Sequence, residues 1–149
     1  MAKAIKTVSS IPLLENQHVF FRAAMSARVI GFAATVLAGI VCYDASRLPV
    51  DADPRHFAGD VIVAAMFLVP GLLYLLLSAF VTRRKKWAVS GTFVLAMLDM
   101  IILGIMFVSS WGTPKGEIVC AISGTFVVAI AVLTTFLRRC FDSIKTVSL

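Results

Sequence analysis

Charge is what this sequence has least of. Only 15% of its 149 residues are charged, 14 Lys and Arg against 8 Asp and Glu. A soluble domain carries about 25%, so the shortage speaks against a water-soluble fold. Histidine is nearly absent too. His18 and His56 stand in separate, distant segments and give no basis for a shared metal or haem. The three cysteines, Cys42, Cys120 and Cys140, form no CxxC and no pair at metal spacing. That removes thiol–disulfide exchange and a zinc site as readings. There is no HExxH, no phosphate loop and no set from which a Ser-His-Asp triad can be assembled. The expectation is a protein that is not an enzyme, with no cofactor and no metal. The first 22 residues hold no apolar core followed by a small-residue cleavage site, so a cleaved secretory signal is not expected.

Apolar residues are present in excess, at 60%. They gather into four runs, about 23–43, 61–81, 87–110 and 118–137. Each is near the roughly 20 residues that cross a bilayer as a helix. The fold class predicted is all-α, an integral membrane four-helix bundle of left-handed twist. One domain fills residues 1–149, with an interfacial tail over 1–22 and a second tail over 138–149. Residues 44–60, with two prolines and four aspartates, predict a solvated loop, and Asp60 is placed to cap the second span. Pro70-Gly71 in the middle of that span predicts a kink. Trp87 and Trp111 bracket the third as an aromatic belt.

The basic residues set the topology. Placing both termini in the cytoplasm puts Lys3, Lys6, Arg22, Arg28, Arg83, Arg84, Lys85, Lys86, Arg138, Arg139 and Lys145 inside, and only Arg47, Arg55 and Lys115 outside. That is 11 against 3, a positive-inside pattern. The basic excess is thereby accounted for, and no nucleic-acid partner is expected. Arg83-Arg84-Lys85-Lys86 and Arg138-Arg139 serve as topology anchors in contact with anionic headgroups. Cys140, just after the second pair, is placed where juxtamembrane palmitoylation occurs. The membrane expected is the plasma membrane, with an organelle membrane as the alternative.

Two stripes of small residues recur every four positions. Ala27, Gly31, Thr35 and Gly39 form one in the first span; Ala121, Thr125 and Ala129 form the other in the fourth. Such smooth faces let a second helix approach closely.

One acid interrupts the third run. Asp99 is 12 residues from each flanking tryptophan, which is about 18 Å and so near the bilayer midplane. An ionised carboxylate there costs a few kcal/mol unless it is paired or hydrated. Arg28 lies in the first span, which runs in the same direction, about 4 residues or roughly 6 Å from the depth of Asp99. An intramembrane Arg28–Asp99 ion pair is the leading expectation. A protonated Asp99, a contact with a partner subunit, and a proton-transport role are the alternatives.

The arginine of Ser26-Ala27-Arg28-Val29-Ile30-Gly31 and the aspartate of Leu95-Ala96-Met97-Leu98-Asp99-Met100, with both termini cytoplasmic, resemble the MARVEL superfamily of four-span proteins. Its fungal members and the Casparian strip membrane-protein-like branch show the same pattern. The resemblance covers roughly residues 20–140. It implies a non-enzymatic protein that organises membrane microdomains, junctions or vesicle cargo by lateral self-association.

The functional expectation is a membrane-organising scaffold whose partners are the lipid bilayer and further copies of itself, joined through the small-residue stripes. The alternatives are a small accessory subunit of a larger respiratory, photosynthetic or transport complex, and a proton-coupled small-solute transporter using Asp99.

Overall fold

The computed structural model describes residues 11–47, 54–112 and 116–147. They form four helices: α1 (Ile11–Ser46), α2 (Pro54–Thr82), α3 (Lys86–Ser110) and α4 (Gly116–Val147). All four are long and apolar enough to cross a membrane. Each packs against its neighbours in chain order, and α4 closes the ring against α1. The α1–α2 interface is the most extensive. Consecutive helices run antiparallel. Arg28 meets Ser78 on one side, Phe80 meets Trp87 on the next, and Phe93 meets Phe141 on the third.

Three boundaries differ from the sequence expectation. Residues 11–22 are not a separate tail but the first turns of α1, with Phe20 buried at 5% exposure. Asp60 does not cap α2, which starts at Pro54. Proline at a first helical position loses no hydrogen bond and brings a preset φ. Residues 138–147 are also helical. Arg138 and Arg139 point outward while Leu133, Leu137 and Cys140 are fully buried and Phe141 and Ile144 pack against them. Apolar residues at that spacing keep one helical face on the core, so two arginines do not end the helix.

The buried faces of α1 and α3 are rich in small side chains. Ala23, Ala24, Ala27, Ala34 and Ala38 of α1 and Ala88 and Ala96 of α3 are buried, whereas Phe32 is 66% exposed, Ile105 64% and Val108 74%. A protein folding from water alone would do the reverse. Small inside and large outside is the arrangement of helices that associate by close backbone approach in an apolar surrounding.

The closest approach is at Gly31 and Gly71. A Cβ on Gly31 would stand 2.7 Å from the Gly71 carbonyl oxygen, and one on Gly71 would stand 2.9 Å from Thr35 Oγ1. Pro70 lies inside α2 without ending it. Its ring removes the donor to the carbonyl four residues earlier.

The α2–α3 turn has Schellman geometry. Arg84 N–H donates to Val81 O at 2.9 Å and Lys85 N–H to Phe80 O at 3.2 Å. Arg84 occupies the left-handed position with φ 55°, where glycine is the usual residue.

Candidate functional site

Two polar side chains on α2, Tyr74 and Ser78, are one turn apart on the same face, and each is 1% exposed. Residues four apart on a helix share a face, so together they make a polar seam inside an apolar bundle. Ser78 donates its hydroxyl to the Leu75 carbonyl at 2.7 Å. It accepts from Arg28 Nε at 3.3 Å. Tyr74 and Asp99 share a cavity of about 20 Å³, walled by Ile30, Phe67, Pro70 and Leu103. The Tyr74 hydroxyl makes no hydrogen bond among the described residues. A cavity of that size has room for about one water.

Arg28 and Asp99 are therefore not joined. Among the described residues no ion pair links them; each turns to α2, Arg28 to Ser78 and Asp99 toward Tyr74. The geometry of the ring explains this, because α1 and α3 stand at opposite corners with α2 between them. The offset of about one turn estimated from the sequence becomes the single-turn spacing of Tyr74 and Ser78. Arg28 itself remains on the exposed side of α1.

The two small-residue stripes have different fates. Ala27 and Gly31 are buried, and Thr35, half-buried, donates to the Gly31 carbonyl at 2.8 Å. Gly31 and Thr35 face α2 at the glycine crossing. Gly39 has left the interface, with nothing within 4 Å of the position its Cβ would take. The α1 stripe is thus spent inside the bundle. On α4, Ala121 and Thr125 are exposed and Ala129 is half-buried. Thr125 returns its hydroxyl to the Ala121 carbonyl at 2.7 Å and keeps no free donor.

Beside this second stripe an outward-opening apolar groove of about 530 Å³ runs between α1 and α4. Its lining includes the small residues Ala33, Ala121 and Thr125 and the large residues Phe32, Val36 and Ile40.

The basic residues gather at one end, where Arg22, Arg83, Arg84, Lys85, Lys86, Arg138 and Arg139 are all exposed. Cys140 is at the same end but is fully buried, which denies its thiol to an acyl donor. All three cysteines are free; Cys42 is exposed, and Cys120 is half-buried with its sulfur 3.5 Å from the Phe107 carbonyl. Among the described residues no three His, Cys, Asp or Glu side chains come together as metal ligands would.

A scan of protein-family models matches no family for this chain, and searches of the curated proteins and of the solved structures return no match.

Proposed function

We propose that this is a non-enzymatic, multi-pass membrane protein, both termini cytoplasmic, that organises its membrane by lateral association with further copies of itself. It would act as the MARVEL resemblance of Arg28 and Asp99 implies. The observation that carries the reading is the apolar groove between α1 and α4, with the exposed small residues Ala121 and Thr125 in its lining. Ala121 and Thr125 are exposed, and the polar seam of Tyr74 and Ser78 lies elsewhere, on α2. A helix that meets small residues in a groove gains dispersion contacts that lipid tails, with their disorder, fill less well.

The groove's lining combines the small residues Ala33, Ala121 and Thr125 with the large residues Phe32, Val36 and Ile40. In a two-fold dimer the large residues of one copy would meet the small residues of the other.

The test is to fill the groove. Ala121→Leu and Thr125→Leu are expected to convert oligomers to protomers on sizing in mild detergent, with unfolding temperature unchanged. A larger complex of defined stoichiometry with other chains, or an oligomer that ignores both substitutions, would overturn self-association. The first of these outcomes would instead favour an accessory subunit.

A further inference from the structure

We propose that the basic end of the bundle holds a specific site for the phosphorylated headgroup of an anionic phospholipid, built around Arg84. The site is a pocket of about 450 Å³ between the start of α1 and the end of α2, lined by Gln17, His18, Phe20, Phe21, Thr82 and Arg84. It is separate from the α1–α4 groove and does not depend on self-association.

Three observations converge on it. The first is the backbone of Arg84. A residue with a Cβ is disfavoured at φ 55°, and this is the position that a Schellman turn usually gives to glycine. Local strain of this kind marks a residue whose side chain is needed where the turn points it. The second is where that side chain goes. The Arg84 guanidinium lies over the Phe20 ring, 5.7 Å from its centroid, and this contact ties the α2–α3 turn to α1. A guanidinium spread on an aromatic face keeps its edge donors free for an anion.

The third is the chemistry of the lining. Arg84, Gln17 and His18 supply N–H donors. The Thr82 hydroxyl donates to Ser78 O at 2.6 Å, so it offers only its oxygen to a ligand. Phe20 and Phe21 add apolar surface, and Phe21 is 55% exposed. Donors for a phosphate set against rings that suit the glycerol and first methylenes describe a lipid at the membrane edge better than a soluble anion. The neighbouring Arg83, Lys85 and Lys86 raise the local concentration of any anionic lipid without lining the pocket.

The test uses the full-length protein in detergent micelles with native mass spectrometry, titrated with phosphatidylglycerol, phosphatidylcholine and inorganic phosphate. Arg84→Gly suits the left-handed turn, so it keeps the fold and its unfolding temperature should not fall. Its affinity for phosphatidylglycerol should drop about tenfold or more, the scale of one lost charge-assisted contact. Arg139→Gln, a basic residue outside the pocket, should retain most of the affinity. Retained binding in Arg84→Gly, or an equal loss in Arg139→Gln, would mean diffuse attraction and overturn the site. Displacement of the lipid by inorganic phosphate at equal concentration would overturn it as a lipid site, and equal binding of phosphatidylcholine would overturn the requirement for an anionic headgroup.

Discussion

Arg28 Nε lies 3.3 Å from Ser78 Oγ, and not against Asp99. Arg28 bonds to α2, while Asp99 shares a cavity with Tyr74 of that helix, one turn from Ser78. The carboxyl is left with a phenol and a small cavity.

Double-mutant cycles distinguish this arrangement from a direct ion pair. Tyr74→Phe with Asp99→Asn should show a coupling energy of about 0.5 kcal/mol or more, as residues sharing one cavity do. Arg28→Gln with Asp99→Asn should add within about 0.5 kcal/mol, as sites without a shared partner do. Reversible unfolding in mixed micelles gives both numbers. A large Arg28–Asp99 coupling would restore the ion pair.

The glycine crossing gives a sharper mutational signature. Gly31→Ala drives a methyl to 2.7 Å from the Gly71 carbonyl oxygen, which is backbone and yields only if the helices part. Overpacking of this kind typically costs about 1–3 kcal/mol. Gly71→Ala meets Thr35 Oγ1 and the Gly31 carbonyl and should lose stability on the same scale. Gly39→Ala has open space around it and should instead gain up to about 1 kcal/mol from helix propensity. Thermal unfolding of the three variants side by side checks the order.

Thiol chemistry should separate the cysteines. Cys42 is expected to react with a maleimide in the folded protein, and Cys140 only after unfolding, because one is exposed and the other fully buried. Acyl exchange after hydroxylamine should report no palmitate on Cys140. Labelling of single-cysteine variants, with and without denaturant, reads the difference directly.

Filling the outer groove should leave the inner bundle intact. Val36→Ala is expected to weaken self-association less than Thr125→Leu, since truncation leaves a groove that still admits a helix while the leucine occupies it. Crosslinking yield in native membranes, compared at equal expression, gives the ranking.

Much of the fold was legible because lipid-crossing helices need long apolar runs, and four such runs stand out between charged or proline-rich breaks. The α1 stripe was legible as a close-packing face, since Ala27, Gly31 and Thr35 recur in one register, but not as a face turned to α2 instead of to a second copy. Helix ends were not. Arg138-Arg139 read as a stop, but the spacing of Leu137, Cys140, Phe141 and Ile144 continues the buried face and was the available signal. The partners of Arg28 and Asp99 were half legible. Tyr74 and Ser78 are the polar side chains inside the second run and lie four apart, but depth along the membrane cannot tell which corner of a ring a helix occupies. The left-handed Arg84 has no sequence signal, because it takes a place that glycine would announce.

The seam on α2 has a consequence for biogenesis. Were the four helices inserted into a membrane in chain order, Arg28 would enter first, and Ser78 would follow on the next helix through the most extensive contact in the bundle. Asp99 would then meet a hairpin already presenting Tyr74. Each of the two residues would thus wait no longer than one helix for its companion. A circular permutant that begins at α3 would have to insert Asp99 with no companion present.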